Sequence, residues 1–265
     1  MEETGVQIRL HGNPADPVLV YLPGLHGDWT LIGSFRQAIA GRARFVELTY
    51  PRTLEWSLDE YAAGVEQALR SAGVQRGWLL AESFGSQVAW PLLARGFFQA
   101  EGLILAGGFG KHPALWGVML TEKVLGRISM DWMVRALVGY AQVARWRFRH
   151  QPEVLAGVHE FVERRTELDR QAAVHRLRLI ARNNPAGIAH QVQVPVYGLT
   201  GLLDPVVPWP WAKRWLRQNC PSLAAYQIVR SADHTVLSTG ARQCATQIAE
   251  WINPQGRKNR GQQRG

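Results

Sequence analysis

Cysteine is nearly absent from this chain: Cys220 and Cys244 are the only two among 265 residues, with no CxxC spacing and no histidine cluster beside them. Neither a disulfide framework nor a cysteine-built zinc site organises such a sequence. Long apolar runs are missing too, since no stretch reaches the roughly 18 uninterrupted apolar residues that a bilayer crossing requires. Met1-Glu2-Glu3 opens the chain without the basic segment and apolar stretch of a secretory signal. These absences predict a cytoplasmic protein with no transmembrane segment. Charge is scarce at 19%, hydrophobic residues reach 46%, and no internal repeat is visible, which describes an ordinary globular chain.

The scarcity of charge is lopsided, because the net value is +9 and raises the possibility of a nucleic-acid partner. Its distribution argues otherwise. Residues 111–190 hold 13 Lys/Arg against 7 Asp/Glu, and residues 254–265 hold Arg257, Lys258, Arg260 and Arg264 with no acid. The remainder is close to neutral. The excess belongs to one internal segment and a Gly/Gln/Asn-rich tail expected to be disordered. No specific nucleic-acid partner is expected.

Strands and helices alternate through the first hundred residues. Residues 6–10 read as an edge strand and 18–22 (VLVYL) as a strand covered on both faces. A Gly-rich loop occupies 23–28, a helix lies near 33–40 and a strand at 44–49. Ser57 with Glu60 forms a capping box, and Leu58, Tyr61, Ala62, Val65 and Leu69 follow at helical spacing. The run Trp78-Leu79-Leu80 and residues 102–106 supply further strands. Such alternation predicts an α/β fold with a mostly parallel sheet and helices on both faces.

After Gly108 the rhythm changes. Helical stretches at 115–125, 132–148, 154–164 and 170–182 follow one another without a buried strand, so 111–190 reads as an all-helical cap inserted into a core of 1–110 and 191–253. Alternation resumes with a strand at 194–200, a helix at 209–219, a strand at 225–229 and a last helix at 238–251 capped by Ser238.

Chemistry in open α/β sheets sits beyond the carboxyl ends of the strands, which selects four places: residues 23–28, Ser83, Asp204 and Asp233-His234. Ser83 is the apex of Ala81-Glu82-Ser83-Phe84-Gly85, a strand-turn-helix junction; the bland alternative is a turn that merely joins the two elements. A serine hydroxyl needs a base in reach to act as a nucleophile. Of eight histidines only His234 lies between the final strand and the final helix. Asp204 is the candidate for the carboxylate that orients this imidazole; Asp233 is the rival, but adjacent side chains usually point apart. Backbone N–H groups of Phe84 and Leu25 are the candidate donors to an oxyanion.

At these residues the chain resembles the α/β-hydrolase superfamily, and within it the small capped serine hydrolases of esterase type. Ala81-Glu82-Ser83-Phe84-Gly85 is similar to the Gly-x-Ser-x-Gly nucleophile elbow, with Ala81 in place of the first glycine, and Leu22-Pro23-Gly24-Leu25-His26-Gly27 to the family's oxyanion loop, with Pro23 where many members carry histidine. The order Ser83, Asp204, His234 matches the family's triad order. The resemblance implies hydrolysis of an ester, thioester or related acyl bond through an acyl-enzyme, without cofactor or metal. Acyl transfer or C–C cleavage by the same triad, and a ligand-binding protein that turns over negligibly, stay open beside it. The expected partner is a small acyl substrate of apolar character. Gly24, His26, Trp116, Trp132 and Trp146 are the candidate substrate-binding residues, and the sequence leaves the oligomeric state unread.

Overall fold

The computed structural model describes residues 5–147, 149 and 152–253; the basic stretch 254–265 lies outside the described residues. Seven strands, β1 (Gln7–His11), β2 (Val18–Leu22), β3 (Arg44–Thr49), β4 (Arg76–Glu82), β5 (Gln99–Ala106), β6 (Val196–Gly201) and β7 (Leu223–Val229), form one sheet in the order β1-β3-β2-β4-β5-β6-β7. Only β1 runs antiparallel to its neighbour; every other pairing is parallel. All the loops that follow β2, β4, β6 and β7 therefore leave from the same edge of the sheet, which is what brings residues 30 to 151 positions apart into one site.

The apolar run 18–22 is buried on both faces because successive side chains alternate across a strand. Val20 and Leu22 enter a core cluster with Leu79, Ala81, Val88 and Leu103, whereas Leu19 and Tyr21 enter the other with Phe35, Phe45, Leu80 and Ile248. Helices α2 (Leu58–Ser71) and α3 (Gly85–Arg95) cover the first face; α1 (Gly33–Ile39) and α11 (Ala241–Ile252) cover the second. The α2 capping box forms as the sequence predicts: the Glu60 amide donates to Ser57 Oγ, and Glu60 Oε2 accepts from the Ser57 amide at 2.7 Å.

Between β5 and β6 the chain is helical: α4 (Leu115–Arg127), α5 (Met130–Arg147), α6 (Pro152–Glu163), α7 (Glu167–Arg182) and α8 (Ala186–Gln191). The short α8 was not anticipated; its Ala189 is fully buried in the sheet-side core, together with Leu216 of α9 (Trp209–Asn219). Helix α7 starts on a second capping box, in which Thr166 and Asp169 exchange bonds as Ser57 and Glu60 do. No helix among the described residues is long and apolar enough to cross a membrane.

One expectation is corrected at the C-terminal end. The last helix does not begin on Ser238: a four-residue helix α10 (Val236–Thr239) contains that residue, and α11 starts after Gly240. Ser238 is buried, and its carbonyl accepts from Ser34 Oγ at 3.2 Å. Gly240, at φ of −120°, interrupts the helix between α10 and α11, and a Cβ there would stand 2.9 Å from Val229 Cγ1.

Candidate active site

The turn after β4 places Ser83 in a backbone conformation that side chains with a Cβ rarely adopt, with φ of 48°; no other non-glycine among the described residues has positive φ. Strain of this kind persists only where neighbours over-determine it. The Ser83 amide donates to Ala106 O at 3.1 Å, and Ser86 Oγ donates to Ser83 O at 2.6 Å. On the far side of the turn, a Cβ built on Gly85 would stand 2.2 Å from Leu22 O, so only glycine lets α3 approach the end of β2 so closely. Ala81 needs no such exemption, because its methyl is fully buried within the core cluster that also holds Leu22 and Phe84.

His234, in the loop after β7, lies with Nε2 2.8 Å from Ser83 Oγ and Nδ1 2.8 Å from Asp204 Oδ2. Asp204 follows β6 and is 8% exposed. Its Oδ1 accepts from the Val206 and Val207 amides, each at 2.8 Å, which fixes the carboxylate and leaves Oδ2 for the imidazole. An ionised carboxylate only accepts, so Nδ1 of a neutral His234 carries the proton and Nε2 presents its lone pair to the serine hydroxyl. Asp233 turns elsewhere: its Oδ1 accepts from the Thr235 amide and from the Thr235 and Thr239 hydroxyls.

The loop after β2 passes beside the serine. Gly24 is close enough that a Cβ there would lie 3.6 Å from Ser83 Cβ, an ordinary contact. Neither the Leu25 nor the Phe84 amide donates to an acceptor among the described residues, although both residues flank Ser83. Asp28 in the same loop pairs with Arg165, which enters from between α6 and α7, at 2.5 Å. Burial works against charge on Asp28, but His26, Arg165 and the Thr30 hydrogen bond outweigh it and hold the carboxyl down at about 2.

A cavity of about 480 Å³ opens over Ser83. Its wall combines Gly24, Leu25 and His26 from the loop, Phe109 and His112 from the segment after β5, Trp116, Val118 and Thr121 of α4, Leu177 and Ile180 of α7, and Val206 and His234. The wall is apolar apart from Glu82, Ser83, the His26, His112 and His234 imidazoles, and two threonine hydroxyls. Trp116 sits on this wall with its side chain largely exposed, at the mouth of the cavity. Trp132 and Trp146 are not part of it. Both side chains stand in solvent on α5, which packs on α6 rather than over the sheet edge. Aromatic residues at helical spacing gave no information on which helix of the insertion faces the serine.

His112 was missed by sequence reasoning, although its position just after β5 is itself a strand-end signal. It is 6% exposed and stands edge-on to Phe109 with ring centroids 4.8 Å apart. The Ala114 amide donates to its Nδ1 at 3.1 Å, so the proton of the neutral ring sits on Nε2. Desolvation, reinforced by His234 and opposed in part by Asp204, pushes its pKa down to about 4. The unfolded chain, with an ordinary value of about 6.5, therefore takes up this proton first as pH falls. Stability contributed by neutral His112 is complete above about pH 6.5 and is lost between there and about pH 4. Melting temperature followed from pH 7 to 4 is expected to fall less steeply in His112→Asn than in the parent protein; parallel curves would mean that His112 is not buried as the neutral form.

No family model matches the chain, and no curated protein matches it in sequence. Solved structures do match. An enol-lactonase from Burkholderia xenovorans superimposes with a TM-score of 0.74 at 15% identity, covering 94% of this chain and 96% of its own. An esterase from Rhodococcus sp. gives 0.72 at 19% identity, with 94% of each chain covered. A bromoperoxidase from Bacillus anthracis gives 0.75 at 11%, covering 92% and 93%. Identities this low speak for a shared fold, and the three activities differ.

Proposed function

We propose, from the α/β-hydrolase fold that this chain has, that it is a serine hydrolase cleaving a carboxylic ester or a closely related acyl bond through an acyl-enzyme on Ser83. The observation that carries the reading is the unbroken chain of contacts from Ser83 Oγ to His234 Nε2 and from His234 Nδ1 to Asp204 Oδ2, each 2.8 Å, opening into a largely apolar cavity.

In this reading His234 takes the Ser83 proton as Oγ attacks the acyl carbon, then gives it to the departing alkoxide. Asp204 keeps the ring in the required tautomer and stabilises the imidazolium. The negative charge that develops on the carbonyl oxygen is received by the Leu25 and Phe84 amides, which have no other partner to lose. Water, activated by the same histidine, then releases the acid. The helical insertion acts as a cap whose α4 and α7 supply the apolar wall for a small or medium acyl group. That the solved structures include esterases and a lactonase agrees with this chemistry.

The purified protein is expected to release 4-nitrophenol from short- and medium-chain acyl esters and to be labelled stoichiometrically by a fluorophosphonate. Labelling without turnover would point to acyl transfer or another acceptor reaction at the same serine. Absence of both would remove the hydrolase reading in favour of a ligand-binding protein.

A further inference from the structure

Arg176 of α7 is a cation buried to 1% exposure, and among the described residues no carboxylate pairs with it. Arginine does not shed its proton in a protein, and an unpaired charge in the interior is costly unless its donors are satisfied. Here three of its five N–H groups find partners, two in backbone carbonyls and one in a hydroxyl. Nη1 donates to Leu25 O at 2.9 Å, Nη2 to Pro51 O at 3.1 Å and Nε to the Tyr61 hydroxyl at 3.4 Å. The guanidinium carbon lies 5.8 Å from the Tyr50 ring centroid, 5.9 Å from Tyr61 and 6.0 Å from Phe84. These rings pack edge to face on one another and supply the cation–π environment that offsets part of the desolvation.

Two of those contacts are to the residues whose amides face the developing oxyanion in the proposed reaction. We infer that Arg176 is the positioning residue of the oxyanion hole, a guanidinium from the helical insertion that fixes Leu25 through its carbonyl and Phe84 through its ring. The inference rests on the serine-hydrolase reading. Gly27 shows how closely the loop is fitted to it: a Cβ there would stand 2.3 Å from Arg176 Nη1, so the loop wraps the guanidinium and only glycine, at a φ of 81°, can close the turn. Neighbouring ties run the same way. Arg165 holds Asp28, Asp169 holds Arg52, and His175 Nε2 lies 2.8 Å from Trp56 O. Helix α7 is thus clamped to the loops after β2 and β3, and the amide pair is held as rigidly as the insertion itself.

The consequence is kinetic. Loss of the guanidinium leaves the serine, the histidine and the apolar wall in place but lets the two amides drift from the position the oxyanion will occupy, which weakens the transition state and not the bound ester. Arg176→Met is expected to lower kcat on a 4-nitrophenyl ester by about 10- to 100-fold with KM changed by less than about threefold. Arg176→Lys, which keeps the charge but not the fork, is expected to recover little of it. Because Arg176 is buried, kcat is to be expressed per site titrated to end-point with the fluorophosphonate, which counts folded molecules only. A kcat per titrated site equal to that of the parent in both variants would overturn the inference, as would a loss confined to KM. A parent protein that neither turns over esters nor is labelled would instead overturn the hydrolase reading itself, so the two failures are told apart.

Discussion

Ser83→Ala is expected to reduce ester turnover by at least about 1,000-fold and to abolish fluorophosphonate labelling, while leaving the melting temperature unchanged or raised. The size follows from the arrangement. Without Oγ there is no atom to carry the acyl group, and His234 with Asp204 has no proton to move; what survives is whatever the amides and the cavity do for a water attacking directly. The stability direction has its own cause, since Ser83 sits at a φ of 48° and the hydroxyl makes its hydrogen bond to His234 alone. Alanine tolerates this φ no better than serine, but it leaves no half-buried hydroxyl to satisfy. Turnover in the variant within a factor of ten of the parent would sink the acyl-enzyme assignment, whatever the labelling showed.

Gly85→Ala should do comparable damage by an entirely different route. The added methyl would meet Leu22 O at 2.2 Å, Leu22 C at 2.8 Å and Pro23 O at 3.0 Å, all of them backbone atoms that cannot rotate away. Either α3 retreats from the sheet or the chain from Leu22 to Leu25 does, and each motion separates the Phe84 amide from the Leu25 amide. Overpacking of this severity costs about 2–4 kcal/mol, a fall in melting temperature of roughly 5–10 °C for a chain of this size. Activity is expected to fall further than stability does, by about 100-fold or more per folded molecule. Gly187→Ala in α8 is the control, because a Cβ there meets nothing within 4 Å, and it should be neutral or slightly stabilising. Equal behaviour of the two variants in thermal melts and in turnover would show that the junction of β2 and α3 is looser than the contacts imply.

Much of the candidate site was legible before the structure because its signals are local and lie where strands end. The alternation of VLVYL with helices identified a parallel sheet; Ser83, Asp204 and His234 each follow a strand in that sheet, and a parallel sheet sends all such loops to one edge. The two cores needed no more than the period of 2 along each strand. Boundaries also fell close to their expected places where a cap was written into the chain, as at Ser57.

The segment between β5 and β6 was legible only as helices. A helix there can turn its Trp-bearing side toward the serine or toward water, and the sequence of α5 is compatible with both; packing on α6 decided for water at Trp132 and Trp146, while α4 brought Trp116 to the mouth of the cavity. His112 carried a signal in its place after β5 that went unread. Arg176 carried none. In sequence it is one of several arginines on an amphipathic helix, where the ordinary expectation is a solvated side chain, and only the approach of α7 to the loops after β2 and β3 turns it into a buried guanidinium holding Leu25 and Phe84. Sequence alone determined the alternation of strands with the longer helices and the residue types at the strand ends, because those depend on local periodicity and chain direction. Which face of each of these helices looks inward, and hence what surrounds Ser83 and what holds its neighbours still, was decided by tertiary contacts, such as that of Arg176 with Leu25 151 positions away, that no local pattern encodes.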